Sequence, residues 1–208
     1  ETGFWYYYFV VFFFKTPITV LLILLAAIIF LLVRKKKEGH PSSMLFLLVI
    51  SFYFLFVLGI SNNVQIGIRH AIMVYPLLYV MAGFLLSLPV VQNKNKFSTA
   101  ILVIYSIVSF YVFFPNLISY TNELIPNKSY TYKIMADSNI DYGQGWFALE
   151  KYLKVHPDTK LAGTQPGTGK FVIGVNDYLD LNNTNKYGWL KQYLPVAQVN
   201  FCFLLFDI

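Results

Sequence analysis

The chain has 208 residues, of which 57% are hydrophobic and only 12% are charged. Ordinary soluble domains carry about 25% charged residues, so this composition excludes a chain that is water-soluble throughout and indicates a membrane protein with a soluble part. The net charge of +6 lies in residues 1–114, because residues 115–208 carry eight lysines and eight acidic residues. Nucleic-acid binding would need a basic face on the soluble part, so no nucleic-acid partner is expected.

The first apolar stretch, residues 4–14, is rich in aromatic side chains and too short to cross a bilayer. Tyrosine and tryptophan favour the boundary between membrane and water, so we expect this stretch in or near the interface. Lys15-Thr16-Pro17 ends it, and the proline is suited to begin the next helix. The chain starts at Glu1 in this apolar context without a signal peptide, which is typical of a fragment of a longer protein.

Four apolar runs without internal charge predict four membrane-spanning helices. The first run, Ile18–Val33, meets the requirement of about 17–25 residues for crossing a bilayer once Pro17 and Arg34 are added. The other three predicted spans cover residues 42–60, 71–91 and 97–114.

The basic turns predict how these helices are oriented. Arg34-Lys35-Lys36-Lys37 follows the first span, residues 92–96 contain two lysines, and a four-helix arrangement puts both turns on one side. Lysine and arginine accumulate on the cytoplasmic side, so residues 61–70 and 115–208 are expected outside. The predicted fold class is therefore a mainly α-helical integral membrane region over residues 1–114, followed by a small extracytoplasmic α/β domain over residues 115–208.

The outer part has the patterns of short strands and helices. Tyr130–Ala136 alternates like a strand, and Gly143–His156 has the spacing of a helix that ends before Pro157. The single cysteine, Cys202, lies in an apolar run and is expected to be a buried, inert thiol. The further predicted elements are strands at Lys160–Thr164 and Phe171–Val175, a helix at Tyr187–Leu194, and one or two strands within Val196–Phe206.

Cationic side chains near the outer membrane surface are candidates for binding an anionic ligand. Arg69 and His70 lie at the outer mouth of the third predicted span, where an ionisable side chain is a functional candidate by default. The Arg69 guanidinium is suited either to clamp a lipid-linked phosphate or to reach the headgroups without a binding role. Lys15, expected on the same surface, is a second phosphate candidate whose alternative role is an interfacial anchor.

A polar stretch early in the outer part is the candidate sugar-binding segment. Asp137, Asn139 and Asp141 are expected where a strand ends and a helix begins, a place where ligands gather in α/β sheets. Carboxylates and amides together suit the hydroxyl groups of a sugar. Asp141 has an alternative role as the cap of the helix, with Gln144 three positions on completing a variant of the capping box.

Metal and nucleotide sites are not expected. No histidine lies near Asp137 and Asp141, so the two carboxylates do not predict a metal site. Residues 163–170 have the glycines of a phosphate loop, but the spacing is one residue too long and Phe171 stands where Ser or Thr must bind magnesium. The segment is therefore predicted to be a turn.

Stretches spread over nearly the whole chain form a set whose order and spacing are recognisable. The members are Trp5-Tyr6-Tyr7-Tyr8 with Lys15-Thr16-Pro17, Ile68-Arg69-His70 with Tyr75-Pro76, Asp137–Gln144, and Trp189-Leu190 with Pro195-Val196-Ala197 and Phe206-Asp207-Ile208. The set resembles the C-terminal half of bacterial glycosyltransferases that use a polyprenyl-phosphate sugar donor. These enzymes are similar to the protein O-mannosyltransferase superfamily, which has the multi-helix membrane fold called GT-C.

The resemblance implies a fragment of an integral enzyme of the bacterial plasma membrane. Such an enzyme transfers a sugar from the lipid phosphate to an acceptor on the outer face and needs no cofactor. The family's catalytic carboxylate lies in a first outer loop that this sequence lacks, and its run after Gln144 continues with an acidic residue where this chain has Gly145. The alternative is a non-catalytic, membrane-anchored extracytoplasmic binding domain.

Overall fold

A computed structural model describes residues 3–33, 41–61, 65, 67–87 and 96–208, and it divides the chain into two compact units. Residues 34–37 and Lys94, on which the predicted orientation depends, lie outside the described residues. Unit 1 comprises Glu1–Val112 with Thr121–Leu124, and unit 2 comprises Phe113–Tyr120 with Ile125–Ile208.

Unit 1 is helical. Its helices within the described residues are α1 (Tyr7–Lys15), α2 (Ile18–Val33), α3 (Pro41–Ser61), α4 (Val74–Ser87) and α5 (Lys96–Tyr111), with a 3-10 turn at Ile68–Ala71. The chain bends by 112° between α1 and α2. Pro17 lies at this bend and its carbonyl accepts from the amides of Val20 and Leu21, so the proline begins α2 as its sequence position predicts.

One described helix is long and apolar enough to cross a membrane, the 20-residue segment Ser42–Ser61 of α3. Helices α1 and α2 pass the same test only as a bent pair, while α4 and α5 are shorter apolar helices. The predicted count of four spans is therefore not supported. The apolar run from residue 71 begins with turns before α4 starts at Val74, so an uncharged run is longer than the helix that it forms.

The core of unit 1 is formed where α1 and α4 pack on α3, and where α2 packs on α4. Its fully buried side chains include Tyr8, Leu55, Val74 and Met81. Every long helix of this unit also carries large apolar side chains on its outer face, among them Ile29, Phe46, Val49, Val80, Ile104 and Ile107. The unit therefore buries one apolar stripe of each helix and leaves another exposed.

Unit 2 is an α/β unit with a four-stranded mixed sheet in the order β1-β2-β4-β3. Strand β1 pairs with β2 in parallel, and the other two pairs are antiparallel. Val172, Leu204 and Phe206 on the two central strands are fully buried, and burial of such a side chain stabilises by about 1.5–3 kcal/mol. The elements are β1 (Thr159–Leu161), β2 (Lys170–Gly174), β3 (Ala197–Val199), β4 (Phe203–Asp207), α6 (Trp146–Val155), α7 (Val175–Leu179) and 3-10 turns at Leu117–Ser119, Lys128–Lys133, Asp137–Asn139 and Gly188–Gln192.

Most predicted elements of the outer part are confirmed within a few residues, and two change type. The helix at Tyr187–Leu194 is a short 3-10 turn, and the strand predicted at Tyr130–Ala136 is wrong. The backbone turns there because the Asn127 side chain accepts from the Ser129 amide at 3.0 Å and caps a 3-10 helix. Cys202 is buried, as predicted.

Candidate functional site

The break between α1 and α2 carries a buried lysine. Lys15 is the last residue of α1, and only 8% of it is exposed. The next residue, Thr16, is fully buried, and Pro17 follows it at the bend. Lysine is rarely buried in proteins, so a buried position of this kind in a helical unit marks a functional candidate.

The broken end of α1 is closed by Asn122, a residue that the sequence analysis did not select. The Asn122 side-chain amide donates to the carbonyls of Phe13 and Thr16 at 2.6 and 2.8 Å, and its backbone amide donates to Phe14 at 2.8 Å. These carbonyls lost their helical partners at the bend, so Asn122 replaces the missing backbone bonds. The contact spans more than 100 residues of sequence, and no local pattern signals it.

Further polar side chains surround this break. The Thr16 hydroxyl bonds the Tyr75 hydroxyl at 3.0 Å, and the Thr19 hydroxyl bonds the Ser106 hydroxyl at 2.8 Å. Ser109 donates to the Glu123 carboxylate at 2.5 Å. We call Lys15, Thr16, Thr19, Tyr75, Ser106, Ser109, Asn122 and Glu123 the polar cluster of unit 1.

Arg69 and His70 lie elsewhere in unit 1. Both are exposed on the 3-10 turn before α4. The preceding residues hold this turn against the start of α1, because the Gly67 amide donates to the Tyr7 hydroxyl at 2.9 Å. Lys15 ends the same nine-residue helix, about 12 Å further along its axis. The structure thus places the two cationic candidates at opposite ends of α1.

The polar stretch of unit 2 has a different local structure from the predicted one. No strand precedes Asp137, which instead begins a 3-10 turn with a left-handed φ of 57°. Aspartate tolerates this conformation better than most residues. The Asp137 amide donates to the Asn176 side chain at 2.9 Å, so residues 39 positions apart hold the stretch in place. Asn139 on the same turn is only 1% exposed.

Asp141 and Gln144 bond to their own backbone instead of capping α6. The Asp141 carboxylate accepts from the Gly143 amide at 2.9 Å, and Gln144 accepts from the Tyr142 amide at 2.7 Å. The capping-box prediction is wrong because α6 starts later, at Trp146, and its cap position makes no side-chain bond. Together the two side chains fix a turn that leads into α6.

Close packing requires a glycine at position 145. A Cβ atom added at Gly145 would lie 2.8 Å from Cys202 Cβ and 2.9 Å from the Phe203 ring. The Cys202 thiol itself lies 3.5 Å from the Ile140 carbonyl, so the cysteine packs tightly under this turn. Any larger residue at 145 would force strand β4 or the turn to shift.

A small polar cavity of about 80 Å³ lies beside α7. The Asp180 carboxylate fixes its rim by accepting from the amides of Thr184 and Asn185 at 2.7 and 2.8 Å. The hydrogen bond from the Asn185 amide is the main cause that lowers the pKa of Asp180. Asn176, which bonds the Asp137 amide, also lines the cavity, together with Asp177, Asn182, Thr184, Lys186 and Tyr187.

Within the described ranges, no group of three or more His, Cys, Asp or Glu side chains could hold a metal ion. Asn122 and Asn176 are the two positioning residues that the sequence left unselected, since each acts through a contact distant in sequence. Comparison of the chain with protein-family models, with curated proteins and with solved structures gives no match.

Proposed function

We propose that this chain is part of a membrane glycosyltransferase that transfers a sugar from a polyprenyl-phosphate donor to an acceptor on the outer face of a bacterial plasma membrane. The observation that carries the proposal is the burial of Lys15 at the break between α1 and α2. The family named in this proposal comes from the resemblance of the motif set that runs from Trp5 to Ile208.

The exposed apolar faces of unit 1 support a place in the membrane. Leu25, Val49 and Ile107 lie on three different helices, and each is about half exposed or more. Large apolar side chains exposed on several helices of one unit are expected where the unit contacts a membrane or another protein. The bent pair of α1 and α2 also fits an α1 that lies along the interface while α2 enters the bilayer.

The break is suited to an anionic group. The first amides of α2 lack helical partners and carry the positive end of the helix dipole, and Lys15 lies immediately before them. Broken helices in membrane proteins bind anionic substrate groups in this way. A donor phosphate near Lys15 would gain the charge of the lysine and the dipole of α2 together.

The chemistry follows from the donor. The bond between the sugar's anomeric carbon and the phosphate oxygen breaks, the acceptor oxygen bonds to that carbon, and the polyprenyl phosphate leaves. Cations stabilise the charge that develops on the leaving phosphate. A carboxylate takes the proton of the acceptor hydroxyl. We assign no residue of this chain to that step, since the family's catalytic carboxylate belongs to an earlier loop.

The test uses the full-length enzyme in lipid nanodiscs with undecaprenyl phosphate as the probe. We expect Lys15→Ala to weaken binding by about 10-fold or more, as loss of a charged hydrogen bond of about 1.5–3 kcal/mol requires. Lys15→Arg should retain part of the affinity. The matched control is Lys170→Ala, whose lysine forms an exposed pair with Asp158 in unit 2. Equal binding by both alanine variants would overturn the proposal.

Arg69 is proposed as an alternative contact for the lipid phosphate, because it lies at the other end of α1 from Lys15. Arg69→Ala in the full-length enzyme should lower kcat/KM for the donor sharply, because a guanidinium binds phosphate through two parallel bonds. Arg69→Lys should restore less than half of the loss, since lysine lacks the planar fork. Unchanged kinetics in Arg69→Ala would remove Arg69 from the donor site.

The second candidate function is a membrane-anchored binding domain, which the cavity beside α7 favours. Its walls combine amides, a hydroxyl, two carboxylates, a lysine and the Tyr187 ring, a mixture of donors and acceptors that suits a hydroxyl-rich ligand. Saturation-transfer NMR with methyl glycosides would test it on the full chain. Signals that disappear in Asn182→Ala, in a protein without transferase activity, would favour the binding domain over the enzyme.

A further inference from the structure

One face of α6 exposes apolar and basic side chains together. Phe147 is 79% exposed and Val155 is 68% exposed, although both are apolar. Lys151 and Lys154 are exposed on the same helix. The spacing places Phe147, Lys151, Lys154 and Val155 within about one third of the helix circumference, and we call these four residues the α6 face. Leu149, on the opposite side, is fully buried in unit 2.

Trp146, which borders the α6 face, has its indole N–H paired and can therefore enter an apolar environment. Trp146 is about half exposed, and its indole N–H donates to the Glu150 carboxylate at 2.9 Å. The single donor of the indole ring is therefore satisfied within the helix. Such a ring can enter an apolar layer without leaving an unpaired polar group. The same bond engages the one acidic side chain of α6 at the margin of the face.

We propose that the α6 face lies on an anionic lipid surface, with Phe147 and Val155 at the boundary between headgroups and acyl chains and the two lysines at the lipid phosphates. Aromatic and basic side chains on one helix face are typical of helices that lie in a membrane interface. Each lysine near an anionic surface contributes about 1 kcal/mol. The charge of the face is thus complementary to the lipid.

Because the two units are covalently connected, lipid is the favoured partner of the α6 face. Unit 2 begins at Phe113, immediately after the last residue of the helical part of unit 1, and that part contains the helix long and apolar enough to cross a membrane. A bilayer around α3 would be present at high effective concentration beside unit 2. A contact between the α6 face and lipid that is too weak to hold a free domain on the membrane would then still form. The inference depends on the membrane position of unit 1 but not on glycosyltransferase activity.

The experiment places a spin label on the α6 face of the full chain in vesicles. The label is attached at Phe147→Cys and, as the matched control, at Leu181→Cys, an exposed leucine in a polar loop. Cys202 is buried, and the unsubstituted chain measures any background labelling. In vesicles of phosphatidylcholine with phosphatidylglycerol, accessibility to oxygen and to a water-soluble nickel reagent is compared by EPR at low protein-to-lipid ratio.

We expect the label at 147 to be several-fold less accessible to the nickel reagent than the label at 181, and more accessible to oxygen. The shielding should weaken in pure phosphatidylcholine and in Lys151→Gln/Lys154→Gln. Equal nickel accessibility at both positions in anionic vesicles would overturn the proposal. Shielding that rises with the protein-to-lipid ratio would also overturn it, because the occupant would then be a second copy of the chain.

Discussion

Unit 1 and unit 2 differ in where they place charged side chains and in how much of their apolar surface they expose. Unit 1 buries Lys15 and Asn122 while it exposes Phe46 and Ile107, whereas unit 2 buries residues such as Leu204. Unit 2 exposes its lysines, as a unit folded in water does. The two units of the chain therefore differ in which side chains form their surfaces. The arrangement in unit 1 is the one expected for helices whose outer faces meet lipid, where buried polar groups hold the helices in position.

The sharpest test of this contrast is a cavity in the core of unit 2. Phe206→Ala removes a ring that is 1% exposed at the centre of the sheet, and it should destabilise unit 2 by about 3–5 kcal/mol. Phe147→Ala removes an exposed ring and should change stability by less than about 0.5 kcal/mol. Hydrogen exchange of the β2 and β4 amides in the solubilised chain measures both. Similar losses for the two variants would contradict the assigned core.

A lysine placed at an exposed apolar position should affect membrane insertion differently in the two units. Val49→Lys near the middle of α3 should cost about 2.5–3.5 kcal/mol in membrane insertion. Val196→Lys, at an exposed valine of unit 2 outside the α6 face, should leave insertion unchanged. The fraction of each variant that remains in alkali-washed membranes reports the difference. If Val49→Lys inserts as well as the unsubstituted chain, the outer face of α3 does not meet lipid.

The polar cluster of unit 1 gives a local effect at the break between α1 and α2. Asn122→Ala leaves the carbonyls of Phe13 and Thr16 without the side-chain donor, which should cost about 1–3 kcal/mol for each buried group. Asn182→Ala, in an exposed loop, is the control and should be nearly neutral. Proteolysis at the break between α1 and α2 should become faster only in Asn122→Ala. Equal cleavage of both variants would show that Asn122 does not hold the break.

The smallest expected effect is a pH dependence in the loop after α7. The pKa of Asp180 is lowered in the folded chain, first by the bond from the Asn185 amide, so the contribution of this carboxylate is present above the usual aspartate pKa. It is lost only as the pH falls through the lowered value. The Thr184 amide resonance, followed by NMR, should therefore shift below the usual aspartate range. An unchanged profile in Asp180→Ala would contradict this assignment.

Local patterns predicted the elements that local physics determines. The start of α2 at Ile18 matches the start of the uncharged run after Pro17, because a proline is suited to begin a helix. The strand predicted at Tyr130–Ala136 is wrong although its residues alternate in the pattern of a strand. The Asn127 side chain caps a 3-10 helix just before this segment, so the backbone turns instead of extending. Two predicted spans run past their helices, at residues 71–73 and 112–114, because absence of charge was counted as helix.

The candidate site was only partly predictable for a different reason. Lys15 and Asp137 were predicted from residue type and neighbouring sequence. Lys15 is buried at the break between α1 and α2, and Asp137 has a left-handed backbone conformation. Their positioning partners, Asn122 and Asn176, come from segments distant in sequence. Nothing in the residues around either asparagine distinguishes it from a loop residue. Only the folded chain shows that each closes a gap in another segment's hydrogen bonding.

The order of strands in unit 2 has a consequence for biosynthesis. Strand β4 lies between β2 and β3, so residues 203–207 complete a sheet whose other members are translated earlier. The edge of β2 stays open until the ribosome has passed Asp207, when every helix of unit 1 has already been made. A chaperone that shields β2 during this interval would prevent the open edge from pairing with a neighbouring nascent chain.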